Sequence, residues 1–332
     1  MNNKRRVITL IGMILLLQHF SSAQSYSYKV DRAKMLFGLS SPGSGSMIMT
    51  FASMQDEGED VTGTPKIIDL KTGKRRSFDK LETFPLDANV SWIRDGKEVV
   101  FETVAGIFEI AIDDANAIPV KRIAGQTHGL AFSPTESRIA YWKMGKDTLS
   151  LIVQDASSGK VLRSWKLPFA YGGEASGFEL AFVGEDRLYA RTFDRPDVTP
   201  LKEFDLSSGK AKTINLDCLS LVSANDTLYF LAGERAKGAV YALEQGAAVR
   251  ISSAPFYTGM RLAGNQWITL SGTKGSAVYD LRNKLLKYQT KCDEVTMIEL
   301  NIPVYERGSR FSTDTALCGL GSLGTGHKGP AR

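Results

Sequence analysis

Cysteine and histidine are scarce in this chain of 332 residues, with three of each. Cys218, Cys292 and Cys318 have no C-x-x-C spacing, which excludes a zinc ribbon and a thioredoxin-like redox motif. His128 and His327, the histidines beyond the first twenty residues, stand in no recognisable triad context. No Gly-x-Ser-x-Gly elbow occurs, and the forty or so residues after the last repeat could not hold an α/β-hydrolase domain. Long apolar runs are also missing after the N-terminus, so no later segment has the roughly 20 residues of a membrane-spanning helix. No stretch carries the 3.6-residue apolar period of an amphipathic helix. Valine, isoleucine, tyrosine, phenylalanine and threonine are instead dense in short runs, which predicts an all-β protein.

The first residues read as a targeting segment. Lys4, Arg5 and Arg6 are followed by the apolar run Val7 to Leu17 and by the small residues Ser21, Ser22 and Ala23. Residues 1–23 are therefore expected to be a signal peptide cut after Ala23, an uncleaved anchor being the alternative. The expected location is exported, periplasmic or secreted, with no stable membrane insertion after cleavage. Cleavage would leave 38 basic residues against 36 acidic ones, from 41 and 36 in the whole chain. That balance argues against a nucleic-acid partner, which needs a concentrated basic face. Export also permits a disulfide. Cys292 with Cys318 would tie down the C-terminal segment, and three unpaired thiols are the alternative.

A repeat organises residues 24–302. Leu130 to Phe132 ends at Ser133-Pro134, a second strand runs Arg138 to Lys143, a third Thr148 to Gln154, and a fourth Val161 to Trp165. Four short strands joined by tight turns form one antiparallel sheet. The turn Asp155-Ala-Ser-Ser-Gly159-Lys160 has near copies at Asp69–Lys74 and Asp205–Lys210, with degenerate ones at Asp113, Ala242 and Asp280. These six positions are 44, 42, 50, 37 and 38 residues apart, the length of one four-stranded blade each. The expected fold is an all-β propeller of about six four-stranded antiparallel blades. Residues 303–332, rich in glycine and serine, are expected to be a flexible C-terminal tail.

Phe132-Ser133-Pro134, Ile139 to Trp142 and the Asp155–Lys160 turn resemble the TolB-type, WD-repeat-like propeller repeat. Asp95-Gly96-Lys97 keeps the turn that Thr135-Glu136 replaces in the other copy. The resemblance implies the fold. Propellers of this kind serve as interaction modules, as gates of peptidases and as stand-alone binding proteins, and the fold alone does not select among them.

Chemistry-bearing motifs are few. Gly319-Leu-Gly321-Ser-Leu-Gly324 matches a dinucleotide fingerprint but lies eight residues from the end of the sequence, without the helix it needs. Asp56 to Asp60 is the densest acidic run, but it lacks the alternating spacing of a calcium loop. Aromatic and charged residues in the longer connections point to a binding face: Phe169 and Tyr171, Phe193 and Arg195, Phe256 and Tyr257. The expected function is a non-catalytic module for a protein or peptide partner, with no cofactor. The alternative is a calcium-dependent, lactonase-like hydrolase holding its ion in the channel by Glu179, Asn225 and Asn265.

Overall fold

The computed structural model describes most of residues 47–312 together with 27–29; residues 1–26, 30–46, 78–89, 169–177, 193–198 and 313–332, and shorter breaks between strands, lie outside the described residues. The described strands begin with β1 (Ser27–Lys29), β2 (Met47–Glu57), β3 (Asp60–Asp69) and β4 (Arg75–Ser77). Five sets of four follow. The first is β5 (Val90–Ile93), β6 (Glu98–Thr103), β7 (Gly106–Ala111) and β8 (Val120–Ala124). The second is β9 (Thr127–Phe132), β10 (Arg138–Met144), β11 (Thr148–Asp155) and β12 (Val161–Pro168). The third is β13 (Leu180–Val183), β14 (Arg187–Arg191), β15 (Leu201–Asp205) and β16 (Ala211–Asn215). The fourth is β17 (Cys218–Ala224), β18 (Thr227–Ala232), β19 (Ala239–Glu244) and β20 (Ala247–Ser253). The fifth is β21 (Tyr257–Ala263), β22 (Trp267–Gly272), β23 (Gly275–Asp280) and β24 (Leu285–Thr290). The last strands are β25 (Glu294–Ile298), β26 (Ile302–Arg307) and β27 (Arg310–Ser312).

Each set of four is one antiparallel sheet in sequential order, a propeller blade. Two further sheets flank the five: β2-β3-β4, and β25-β26-β27 with β1 paired antiparallel to β27. Among the described residues, the expected six four-stranded blades are five complete ones and a three-stranded sheet at the worn first repeat. The terminal sheet is one that the repeat count did not include, because no Asp-x-x-x-Gly-Lys turn marks it. The boundary expected at residue 303 falls inside β26, and pairing continues to Ser312.

Why these segments pair follows from their period. In β10, Ala140 and Trp142 point one way and Ile139 and Tyr141 the other. The first pair packs with Leu149, Leu151 and Val153 against Phe178, Leu180, Phe182 and Phe204 of the third blade. The second pair packs with Ile152 against Ile93, Val100, Ile107 and Ile123 of the first blade. A blade is therefore buried on both faces, and the cores lie between blades. The fourth strands are the outer edges: β8, β16 and β20 are mostly exposed. The first strands line the axis, where β9, β13, β17 and β21 neighbour one another in turn.

Turns stitch the disc. In the Asp155 turn the carboxylate accepts the amides of Ser157 and Ser158 at 3.1 and 2.7 Å, and both serine hydroxyls at 2.7 Å. These bonds hold its pKa far below the usual carboxylate range. Gly159 supplies the left-handed backbone at φ 68°. Asp69, Asp205 and Asp280 accept turn amides in the same way. The degenerate copy placed at Ala242 differs: Ala242 lies inside β19 opposite Val249, and the turn is Gln245-Gly246. Adjacent blades are also tied through their first turns, since the Arg94 amide donates to Glu136 and the Thr135 amide to Glu185, each at 2.9 Å.

Candidate functional site

Antiparallel order puts the starts of the first strands and the ends of the second strands on one face of the disc. Glu179, the residue before β13, sits at that face close to the axis. Its main-chain oxygen accepts the amide of Arg191, the last residue of β14, at 3.2 Å. Its carboxylate accepts Ser220 Oγ at 2.6 Å and the Leu221 amide at 2.7 Å, both on β17. Ser220 Oγ in turn accepts the Met260 amide of β21 at 2.9 Å. One polar chain thus joins the inner strands of three successive blades.

The repeat explains where this chain sits. Gly129, Glu179, Ser220 and Gly259 each stand just before the equivalent apolar residues Leu130, Leu180, Leu221 and Met260. The position is crowded, at Gly129 by the backbone of Phe178 and at Gly259 by a side chain of its own blade. A Cβ on Gly129, whose φ is +62°, would lie 1.7 Å from Phe178 O; one on Gly259 would lie 2.7 Å from Ser271 Oγ. Two blades meet this crowding with glycine, and the two between them meet it with a carboxylate and a hydroxyl.

Glu179 is surrounded by protein and half-buried. Burial raises its pKa to about 7, against the opposing effects of the Ser220 bond, the Arg191 charge, the Leu221 amide and the Arg261 charge. Ser220 can serve both ionisation states. Facing a carboxylate it donates. Facing a carboxylic acid it accepts, and its own proton turns to Met260 O at 3.4 Å. Cys218 lies two residues away, fully buried, with Sγ 3.7 Å from Ser220 O. Burial and the Glu179 charge push its thiol pKa far up, so it is not a thiolate nucleophile.

The other expected site residues are placed unevenly. Asn225 is exposed in the tight turn after β17, at φ 49°. It is five residues beyond Ser220, about 16 Å at strand rise, and so on the opposite face from Glu179. Asn265 lies outside the described residues, as do Cys292 and Cys318. Tyr257 is 6% exposed and packs with Met260, Ile268 and Tyr279 between the fourth and fifth blades, which makes it a core residue rather than an exposed anchor. Phe256 is half-buried in the left-handed region at φ 71°. Phe169, Tyr171, Phe193 and Arg195 lie outside the described residues. The residues flanking their connections, Pro168 and Phe178, and Thr192 and Thr199, belong to the Glu179 face. Thr199 Oγ1 donates to Cys218 O at 2.8 Å, bringing the end of one connection beside the start of the next blade. Reading the sequence missed Ser220, Arg191 and Arg261; the signal available was a polar residue at a repeat position otherwise held by glycine.

No protein-family model matches this sequence, and no curated protein matches it. Solved structures do resemble the fold. A chain of the mitotic checkpoint complex aligns with TM-score 0.57 at 10% identity, over 86% of this chain and 93% of that one. The propeller of Dos1 aligns with TM-score 0.52 at 12% identity, over 86% and 94%. A prolyl endopeptidase aligns with TM-score 0.50 at 16% identity over 78% of this chain, which spans only 42% of that enzyme. At identities this low the likeness shows the β-propeller fold alone.

Proposed function

We propose that this protein is an exported β-propeller, periplasmic or secreted, that binds a protein or peptide partner on the face carrying Glu179, without catalysing a reaction. One observation carries the reading. Inner strands of three successive blades are locked together at that face by the Glu179–Ser220–Met260 chain, and Phe178, Thr192 and Thr199, which flank the connections carrying the aromatic and arginine residues in the sequence, belong to the same face. A fixed scaffold under aromatic and arginine-bearing loops is the arrangement that protein recognition uses. Propellers of the same shape occur in the mitotic checkpoint complex and in Dos1. The TolB-type assignment belongs to the proposal too, supported by the Ser-Pro turn and the three Asp-x-x-x-Gly-Lys turns. The calcium-dependent alternative needs Glu179 and Asn225 to share an ion, and they stand at opposite ends of the inner strands.

The test is partner capture from an exported protein fraction, followed by titration of the captured partner. Phe169→Ala with Tyr171→Ala, and Phe193→Ala with Arg195→Ala, should each weaken capture at least tenfold while leaving the melting temperature unchanged. Undiminished capture by both double variants would remove this face from the reading.

A further inference from the structure

The connection between β17 and β18 carries a chemical signal beyond its turn. Of the nine asparagines in the chain, two stand in an Asn-x-Ser/Thr triplet: Asn89-Val90-Ser91 and Asn225-Asp226-Thr227. In an exported protein that triplet is the acceptor sequence for an N-linked oligosaccharide, a bulky and solubilising group that belongs on the surface. The fold treats the two triplets differently. Asn89 lies outside the described residues, and its Ser91 is inside the inner strand β5, opposite Val100. Asn225 and Asp226 are both exposed at the tip of a hairpin.

Ala224 pairs with Thr227, so Asn225 and Asp226 alone make the loop, at φ 49° and 54°. Two left-handed residues between paired strands form a type I′ turn. That conformation accounts for asparagine at position 225, since few other residues enter the left-handed region readily. It does not account for the hydroxyl two positions on. The second strands of the other complete blades, β6, β10, β14 and β22, begin with Glu98, Arg138, Arg187 and Trp267, whereas β18 begins with Thr227. Thr227 is half-buried, and its Oγ1 donates to Asn225 O at 3.4 Å, which keeps the two members of the triplet together in the folded chain.

Position completes the case. Asn225 is at the far end of β17 from Ser220, on the side of the disc where the first turns of the blades lie, so it faces away from Glu179. A group as large as an oligosaccharide at Asn225 leaves the Glu179 face open and covers part of the opposite one, which confines a protein partner to the first.

Given the export proposed above, we infer that Asn225 is the acceptor of an N-linked oligosaccharide, carried on the face opposite the partner-binding one. The donor is a lipid-linked oligosaccharide diphosphate. Asn225 Nδ2 forms a bond to the anomeric carbon of the sugar and gives up one proton. The bond from that carbon to the lipid diphosphate breaks, the diphosphate leaves with the electron pair, and nothing is oxidised or reduced.

The test is expression of the full chain in a secretory pathway that performs this transfer, once with its own residues 1–23 and once with an established secretion signal in their place. The secreted product should shift in mobility, lose the shift to peptide N-glycosidase, and then show deamidation at residue 225 by mass spectrometry. Asn225→Gln and Thr227→Ala should each abolish modification at 225, Thr227→Ser should retain it, and Asn89→Gln should leave it unchanged. Thr227→Ala should melt with the glycosidase-treated wild type, which separates loss of the acceptor sequence from loss of the fold. Modification only under the substituted signal would support the acceptor site and refute export by residues 1–23. An unmodified Asn225 in the product secreted under the substituted signal would overturn the inference. So would a shift that Asn89→Gln removes and Asn225→Gln does not. Partner capture should be equal before and after glycan removal; a marked gain on removal would place the partner on this face and overturn the separation of the two.

Discussion

Replacing Glu179 by glutamine should abolish a pH dependence of stability that the wild-type protein carries. Glu179 ionises at about 7 in the folded protein, against an ordinary value of 4.5, because burial outweighs its hydrogen bonds and the nearby arginine charges. The folded state therefore holds its proton more tightly than the unfolded state. Between those two values the native protein binds more protons, so stability falls as pH rises and is lowest above pH 7. The full difference is about 3 kcal/mol, at 1.36 kcal/mol for each pH unit between the two values. At about 2.1 cal/mol/K per residue, a domain of this length would lower its melting temperature by about 5 °C.

Glutamine fits the neutral arrangement. Its oxygen accepts the Leu221 amide, its NH2 donates to Ser220 Oγ, and the serine proton turns to Met260 O. The assay is a thermal melt of both proteins at about pH 5 and about pH 8.5. Other titrating groups are common to the two proteins, so the difference between the profiles isolates Glu179. The two should match at the acid end, and E179Q should melt higher at the alkaline end. Parallel profiles, or a less stable glutamine variant at alkaline pH, would refute the reasoning.

Further outcomes follow from packing. Trp142→Ala empties the core between the second and third blades and should cost about 3–5 kcal/mol in chemical denaturation. Tyr257→Ala should lower the melting temperature markedly, whereas Phe169→Ala should leave it unchanged; an unperturbed Tyr257 variant would contradict its place in the core. Gly129→Ala should destabilise by more than 1 kcal/mol, because its Cβ would meet Phe178 O at 1.7 Å in a left-handed backbone; a neutral effect would mean that the inner strands are further apart than described.

The blades were legible because a four-stranded sheet writes itself locally. Ser133-Pro134, the alternation Ile139 to Trp142 and the Asp155–Gly159 turn each act within a few residues, so each can be read without its neighbours. The terminal sheet was not legible. Its fourth strand, β1, comes from the other end of the chain, and nothing local in Ser27 to Lys29 announces a partner near Ser312. Ala242 misled for a related reason: spacing was extended into a blade whose turn had changed to Gln245-Gly246.

The candidate site divides along the same line. A lone glutamate before an inner strand was visible at Glu179. Its Ser220 partner 41 residues away was not, since only ring closure of successive blades brings β13 beside β17. The aromatic Tyr257 looked like an exposed anchor because composition does not say which side of a connection faces the next blade. By itself the sequence determined the strands, their turns and their repetition, all of which rest on backbone and side-chain preferences within about 40 residues. The tertiary structure decided which repeats are complete, which end closes on which, and what surrounds Glu179. Those depend on contacts between distant segments, where the free energy of burial and hydrogen bonding is set by neighbours that the local sequence does not name.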